Sequence, residues 1–281
     1  MIPTVTTVSF KEEFSDTNSA PLKFICSDEE GLNIYYLKYI LQPEHFDYLV
    51  YEIVCSQLAN HFSIKTPEIA FANVLGDSFN PSALEKNRAY LQPGVICFAS
   101  KQIENAEPVD KTERFIPRTK TEFKQYETPI DLIRIGIFDV HIDNRDRWED
   151  NYNLLLQRGK KSKLFAIDHI AVFGGPIMRG KFHPQMEPFV HQKLLKTQFV
   201  ESINRYLSFE EIEDEVERYF YLCQYGLDDV VTHTFQQLPA SWDYSDSLEH
   251  RIRSFLTDKN RNQQACETIL DYFRHIANKR K

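Results

Sequence analysis

Three polar side chains lie at the ends of two short apolar runs in the middle of the chain. Asn151 follows Asp146 after a gap of four residues, and the apolar run 154–156 comes soon afterwards. A basic turn then leads to a second apolar run, 164–167, which ends on Asp168. Two such runs around a turn predict a β-hairpin, in which neighbouring strands lie about 4.8 Å apart. We therefore expect Asn151 and Asp168 to lie close together, with Asp146 beside them.

A carboxylate, an amide and a second carboxylate in one place suit phosphoryl transfer. This reaction needs a carboxylate that receives a hydroxyl proton and oxygen ligands that hold Mg²⁺ on a nucleotide. The spacing of Asp146 and Asn151, followed by a strand and then by Asp168, is that of the catalytic loop of protein kinases.

Ordinary surface chemistry is the alternative explanation for the same residues. Asp143 and Arg147 have helical i,i+4 spacing and could form a solvated pair worth only about 0.3–0.5 kcal/mol. Asp146 and Asp150 could simply belong to a polar loop. Asp168 favours a site, because a carboxylate that closes an apolar strand needs a cation if it is buried, and a metal ion is one candidate.

Composition indicates a globular protein with large cores. The chain has 281 residues, of which 42% are hydrophobic and 13% aromatic, and this length allows one large domain or two lobes. With only 9 glycines, a glycine-rich phosphate loop is not expected.

Charge and cysteine content limit the possible partners and compartments. A net charge of −8 argues against unassisted nucleic-acid binding, which depends on Lys and Arg. The five cysteines are dispersed and show no C-x-x-C pair, so we expect no disulfide framework or zinc site and a reducing, cytoplasmic location. We also expect no signal peptide and no membrane span, because no long apolar run is present.

Hydrophobic periodicity predicts a sheet and one helix in the first third of the chain. Strands are predicted over 4–9, 22–26, 32–39, 69–74 and 95–103, with a helix that begins at Pro43 and continues past Leu58. Residues 75–93 are interpreted as a polar insertion and residues 104–127 as linker and loop.

The rest of the chain is predicted to be mostly helical. One helix runs from Pro129 to about His141, and others are predicted near 188–199, 208–224, 227–238, 245–257 and 262–278. Ser208 and Glu211 form a capping-box motif. The sequence thus predicts an α+β protein with a β-rich N-lobe, 1–104, and a mostly helical C-lobe, 105–281. The polar loop would lie where the lobes meet, as ligand sites often do.

The central stretch resembles the HipA-like kinase family. The resemblance is carried by Asp139, Asn144 and the pair Asp146-Arg147, then by the run Asn151-Tyr152-Asn153-Leu154-Leu155, and finally by Ile167-Asp168-His169. It covers residues from about Pro21 to Gly175 and implies a bilobal protein-kinase-like fold that uses ATP and Mg²⁺.

The resemblance implies a role for several individual residues. Asp146 would be the catalytic base, and Asn151 and Asp168 would hold magnesium. Lys38 would contact the nucleotide phosphates and pair with Glu52. Thr17, Asn18, Ser19 and Ala20 would form the phosphate-covering turn, and Lys101, Gln102, Ile103 and Glu104 would lie near the hinge that holds adenine. Apart from the resemblance, we expect Arg147 to fix the loop through an ion pair and not to touch substrate.

This chain also departs from the family pattern. Trp148 follows the Asp-Arg pair where members often have His, and the turn at 17–20 lacks glycine. Backbone N–H groups and hydroxyls could still cradle phosphate there. The chain has no room for the extra N-terminal subdomain of the HipA toxins, so a role with DNA does not follow.

Three functions remain open at the level of the sequence. The first is a kinase that transfers the γ-phosphate of ATP to a Ser or Thr hydroxyl of a protein or of itself. The second is a nucleotide-binding pseudokinase that acts as an interaction module. The third is a two-metal phosphohydrolase built on Asp139, Asp143, Asp146 and Asp150.

Overall fold

The computed structural model describes residues 1–175, 181–188 and 194–279. The chain divides into two compact units. The first comprises Met1–Ser56, Pro67–Ile103 and His233–Asp246, and the second comprises Gln57–Thr66, Glu104–Thr232 and Ser247–Lys281. The content is mixed α and β, as the sequence predicts.

The first unit is built on five strands that close into a barrel. They are β1 Thr4–Glu13, β2 Leu22–Asp28, β3 Gly31–Lys38, β4 Ile69–Asn73 and β5 Ile96–Lys101, in the order β1-β2-β3-β5-β4. The parallel pairing of β1 with β4 closes the barrel, and the other pairs are antiparallel. Closure is a correction to the predicted sheet. It depends on a pairing between distant segments that periodicity cannot reveal.

Alternating side chains of these strands fill the barrel. Residues that point inward are small, aromatic or branched, and include Val5, Leu22, Phe24, Tyr35, Leu37, Ala70, Ala72, Cys97 and Ala99. This alternation is what a strand with one buried face requires.

Helix α1, Phe46–His61, follows a 3-10 turn, Pro43–His45, and belongs to the first unit as far as Ser56. Leu49, Val50 and Ile53 are buried on it. The polar insertion holds two further 3-10 turns, Pro81–Ala83 and Asn87–Ala89.

A segment from late in the chain, His233–Asp246, folds with the first unit. Trp242 is buried there, donates from Nε1 to the Ile96 carbonyl at 2.8 Å, and meets the Phe71 ring edge-on at 5.7 Å. Ser245 bonds to Asp47 through its backbone N–H and its hydroxyl, both at 2.8 Å.

The second unit carries a three-stranded sheet and most of the helices. Strands β6 Ala106–Pro108, β7 Leu154–Gln157 and β8 Lys163–Ala166 are antiparallel in the order β6-β7-β8. Within the described residues the helices are α2 Lys120–Phe123, α3 Asp131–His141, α4 Gln198–Asn204, α5 Phe209–Leu222, α6 Leu227–Phe235, α7 Leu248–Thr257 and α8 Lys259–Asn278. The residues of α6 from His233 onward belong to the first unit. Strands β7 and β8 form the predicted hairpin.

Two predictions in this unit need correction. Residues 104–127 are not only loop, because β6, α2 and a 3-10 turn, Glu113–Phe115, lie there. These elements have only three or four residues each, which is too short to give a periodic sequence pattern. The helix predicted near 188–199 lies partly outside the described residues, and the chain continues with a 3-10 turn, Leu194–Lys196, before α4. Among the described residues, no helix is long and apolar enough to cross a membrane.

Candidate active site

The loop that carries Asp146 is anchored to the end of α3 by Asn144. The helix ends at His141, and Asp143 takes a left-handed conformation with φ +49° that turns the chain. Asn144 donates from its side chain to Asp139 Oδ1 at 2.8 Å and accepts from the Asp146 N–H at 3.1 Å. One amide therefore joins the last turn of the helix to the backbone of Asp146.

Arg147 is a fully buried centre of the same loop. Its guanidinium forms an ion pair with Asp139, donates from Nε to the Tyr152 carbonyl at 3.0 Å and from Nη2 to the Ile167 carbonyl at 3.0 Å. The side chains of Arg147 and Asp139 have no solvent exposure. One side chain thus ties helix α3, the approach to β7 and the exit from β8 together.

Burial and charge act in opposite directions on Asp139. Burial raises the pKa of its carboxyl, and the Arg147 guanidinium and the Asn144 amide oppose that rise. A buried carboxylate needs such partners, because burying it alone would be very costly.

Two amides hold Asp146 from the side of the hairpin. Asn151 donates from Nδ2 to the Asp146 carbonyl at 2.9 Å, and Asn153 donates to the same carbonyl at 3.2 Å and to the carboxylate Oδ2 at 3.5 Å. Reciprocal 2.9 Å backbone bonds between Trp148 and Asn151 close the turn between them. Asp146 itself is partly exposed.

The hairpin places Asp168 at the same end as these amides. Leu154 pairs with Ala166 in the β7–β8 register, and the Ile167 N–H donates to the Asn153 carbonyl at 3.0 Å. Asp168 follows directly, in a left-handed conformation with φ +58°. Asn153 is left-handed as well, at φ +46°. The backbone therefore turns sharply on both sides of the hairpin's open end.

Oxygen donors at this end suit a hard divalent cation. Asn151 uses its side-chain nitrogen on the Asp146 carbonyl, so its amide oxygen is the end available to a metal. Asp168 adds carboxylate oxygens, and Mg²⁺ prefers such ligands.

The other aspartates of the loop are paired with separate cations. Asp139 pairs with Arg147, Asp143 with Arg145 at 3.0 Å, and Asp150 with Lys111 at 2.9 Å. Burial raises the pKa of Asp143, and Arg145 opposes the rise. Within the described residues, no group of three or more His, Cys, Asp or Glu side chains could hold a metal ion. This arrangement weighs against the two-metal phosphohydrolase.

Lys38 and Glu52 meet within the first unit. Lys38 is the last residue of β3 and Glu52 lies on α1, where it is almost fully buried. Lys38 Nζ donates to Glu52 Oε1 in an ion pair.

The turn at 17–20 is ordered by its own hydrogen bonds. Thr17 donates from its hydroxyl to the Phe14 carbonyl at 3.0 Å and accepts from the Ala20 N–H at 3.1 Å. Lys86 Nζ donates to the Thr17 carbonyl at 2.8 Å, and Asn87 Nδ2 to that of Ala20 at 2.8 Å. Asn18 and Ser19 lie between them, exposed and partly exposed respectively. The polar insertion therefore braces this turn and brings a lysine to it.

The segment Lys101 to Glu104 is divided between the two units. Lys101 Nζ is held by acidic groups, with Glu30 at 2.5 Å and Asp28 at 3.4 Å, and its hydrogen bond to Glu30 raises its pKa. The Gln102 N–H donates to the Ile34 carbonyl at 2.8 Å, and Ile103 is the last residue of its stretch in the first unit. Glu104, in the second unit, accepts at its carbonyl from Gln157 at 3.1 Å.

Sequence reasoning assigned no role to three side chains that support these groups, although two of them belong to the motif that carries the resemblance. Asn144 and Asn153 both contact Asp146, and Asn87 braces the 17–20 turn. The signal for Asn153 is its place in that motif, two residues after Asn151 and directly before the strand. Asn87 gives no such signal, because its partners lie far away in the sequence.

Comparisons with known proteins find a matching family model and similar solved structures. The sequence model of a family described as HipA-like kinase matches residues 12–275. Among solved structures, the Helicobacter pylori proinflammatory kinase CtkA is similar, with a TM-score of 0.52, 13% sequence identity and 99% of each chain covered. At this identity the likeness shows the fold alone. The search of curated proteins finds no match.

Proposed function

Since the chain belongs to the HipA-like kinase family, we propose that it is an ATP- and Mg²⁺-dependent kinase that phosphorylates a Ser or Thr hydroxyl of a protein or of itself. The cluster around Asp146 carries this proposal, because the loop presents a partly exposed carboxylate whose backbone is held by Asn144, Asn151 and Asn153. A bilobal protein-kinase-like fold, with lobes 1–104 and 105–281, is part of the same proposal.

Each predicted residue has a part in the proposed reaction. Asp146 accepts the proton of the acceptor hydroxyl as its oxygen attacks the γ-phosphorus, and ADP leaves. Asn151 and Asp168 hold Mg²⁺, which when bound neutralises charge on the phosphates. Lys38 contacts the phosphates, and Glu52 fixes its direction. The 17–20 turn covers the phosphates, and residues 101–104 hold the adenine.

The buried supports explain why the loop is ready before substrate arrives. Arg147 spans three segments of the chain, so the position of Asp146 is set by packing and hydrogen bonds of the folded protein. Preorganised groups of this kind reduce the reorganisation needed at the moment of reaction.

A reducing, cytoplasmic location is also proposed. None of the cysteines within the described residues is in a disulfide, and burial raises the pKa of Cys26 to about 12. Such buried thiols are unreactive. The proposed partners are ATP and a protein acceptor, without nucleic acid or membrane.

Incubation with labelled ATP tests the proposed reaction. The chain is mixed with γ-labelled ATP and Mg²⁺, with and without generic protein acceptors, and a parallel sample contains EDTA. Label on the chain or on an acceptor, only in the sample with Mg²⁺, is the expected result. Release of labelled inorganic phosphate without any acceptor would instead favour the phosphohydrolase.

A nucleotide-binding pseudokinase is the second candidate, and the 17–20 turn favours it. The turn has no glycine, and the Thr17 hydroxyl is already used within the turn. In that case ATP with Mg²⁺ would raise the melting temperature, because ligands stabilise the state they bind. No labelled product would form in any incubation.

A further inference from the structure

Three pockets on the second unit follow one another, because each shares lining residues with the next. The first, of about 460 Å³, lies between the 114–118 segment and β7. The second, of about 310 Å³, shares Ile116, Pro117 and Arg118 with it. The third, of about 610 Å³, shares Glu201 and Arg205 with the second. We call these three pockets together the basic groove.

The basic groove is positively charged on an acidic protein. Its lining includes six exposed basic residues, Arg114, Arg118, Arg158, Lys196, Arg205 and Lys279. Among the described residues, only two acidic ones line it, Glu122 and Glu201, whereas the whole chain has a net charge of −8. The groove therefore has the opposite charge to the molecule.

The two acidic residues and the nearby Glu107 are already engaged, and Arg114 also pairs with Asp110 at 3.3 Å. Glu122 accepts from the backbone N–H groups of Arg118 at 2.6 Å and Thr119 at 3.1 Å. Glu201 pairs with Arg205 at 3.1 Å, and Glu107 pairs with both Arg114 and Arg158 at 3.3 and 2.5 Å. Exposed pairs of this kind contribute little, so an acidic ligand can compete for the arginines.

The far end of the groove is apolar. Leu195, Val200, Tyr272 and Ile276 line the third pocket, with Lys196 and Lys279 beside them. An occupant that combines acidic side chains with an apolar anchor fits this distribution. Single-stranded nucleic acid fits poorly, because base stacking needs exposed aromatic rings. Of the aromatic rings among the described lining residues, Phe115 and Tyr126 are buried, with 1% and 8% exposure, and Tyr272 alone is partly exposed.

A buried residue next to the groove's lining contacts the segment that follows Asp146. Phe199 on α4 meets Tyr126 at 5.9 Å between ring centroids and Tyr152 at 6.1 Å. The Gln198 N–H also contacts Glu149 Oε1 at 3.5 Å. Tyr152 is the residue whose carbonyl receives Arg147 Nε.

From this geometry we infer that the basic groove docks an extended acidic segment of a partner protein, with its apolar residues in the third pocket. Glu and Asp side chains of that segment pair with Arg114, Arg118, Arg158 and Arg205. The inference does not rest on phosphotransfer, because docking needs no nucleotide.

Fluorescence anisotropy with the intact chain tests this docking. The probe is a fluorescein-labelled peptide in which Glu alternates with Leu, and a peptide with Lys in place of Glu is the control. We expect saturable binding of the acidic peptide that weakens as salt increases, and no binding of the basic one. In an Arg118→Glu/Arg205→Glu variant we expect affinity to fall at least about tenfold.

A matched variant separates local from overall charge. Lys11→Glu/Lys259→Glu makes the same change in net charge at exposed positions outside the groove, and it should bind the peptide as the unmodified chain does. If the arginine variant does not fold, Lys279→Glu at the rim replaces it. Unchanged affinity in the groove variants, or equal losses in the matched variant, would overturn the inference. So would tighter binding of single-stranded RNA or anionic lipid vesicles at the same residues.

Discussion

At the scale of single residues, Arg147 holds the polar loop in a single conformation. It joins a carboxylate on α3 to two carbonyls that flank the hairpin, and all of this is buried. Asp146, its neighbour in sequence, remains partly exposed. The supporting residue and the proposed reacting residue thus differ sharply in environment.

Replacing Arg147 by Met should be strongly destabilising. The change leaves the Asp139 carboxylate buried without its cation, at a cost of about 3–5 kcal/mol in the free energy of unfolding. Urea unfolding measures this. An Asp139→Asn/Arg147→Met double variant should lose clearly less than the single variant, because no buried charge is then left alone. Equal losses in the two would show that the ion pair is not what matters.

At the scale of elements, helix α3 and the 3-10 turn Leu194–Lys196 are in very close contact. A Cβ added to Gly136 would lie 2.2 Å from Leu195 Cδ2 and 2.8 Å from its Cγ. Glycine in a helix is normally unfavourable, so its use here indicates that packing outweighs helix propensity.

Gly136→Ala should therefore destabilise the protein, although Ala is the better helix former. The expected loss is about 1–3 kcal/mol, as for other overpacked cores. Thermal or urea unfolding measures the change in the free energy of unfolding. Adding Leu195→Ala to this variant should restore part of the loss, because the smaller side chain leaves room for the new Cβ. Stabilisation by Gly136→Ala alone would mean that the turn moves away from α3 easily.

The buried His141, the last residue of α3, should make the stability of the protein depend on pH. His141 is fully buried, with Nε2 3.1 Å from the Leu256 carbonyl and Nδ1 3.0 Å from the Tyr219 hydroxyl. Burial and then the charge of Arg261 lower its pKa from 6.5 to about 3. As pH falls through about 6.5, the unfolded chain takes up a proton at His141 and the folded protein does not until about pH 3. The contribution of His141 to the free energy of unfolding therefore decreases as pH falls from about 6.5 to about 3.

A His141→Gln variant tests that assignment. Its free energy of unfolding should depend less steeply on pH in the same window. The slope should correspond to about one bound proton fewer than in the unmodified chain, whatever the variant's stability at neutral pH. The measurement is the free energy of unfolding in urea at several pH values. An identical slope in both proteins would assign the acid sensitivity to other groups.

Local patterns account for the elements that the sequence predicted correctly. Strand β2, helix α5 with its Ser208 capping box, and the β7–β8 hairpin all follow from residues close together in the chain. Barrel closure by β1 and β4 and the contact of Trp242 with β5 could not be predicted, because they join segments far apart. For the site, the motif residues were predictable, whereas the contacts of Asn153 with Asp146 and the brace at Asn87 depend on the folded structure.

At the scale of the whole molecule, each unit draws on distant parts of the chain. The barrel unit includes His233–Asp246, more than a hundred residues beyond its last strand. Its stability should therefore depend on residues that lie outside the N-terminal part of the sequence.

Trp242→Ala tests this dependence. Removing a buried tryptophan should cost about 3–5 kcal/mol, and Trp242→Phe, which loses mainly the bond to Ile96, should cost less. In the Trp242→Ala variant, hydrogen exchange should speed up at amides of β4 and β5 relative to the unmodified chain, and it should change less at amides of α3. Uniform changes throughout the chain, or none, would contradict an anchoring role for this segment.

Phosphate transfer by Asp146→Asn, compared with Asp150→Asn, tests the central claim most directly. Both variants remove one carboxylate from the same loop, and Asp150 is exposed and paired with Lys111. We predict that Asp146→Asn lowers the transfer rate by about 10²–10⁴-fold and keeps the melting-temperature rise with ATP and Mg²⁺, whereas Asp150→Asn transfers phosphate normally. Equal rates in Asp146→Asn and the unmodified chain would contradict the account.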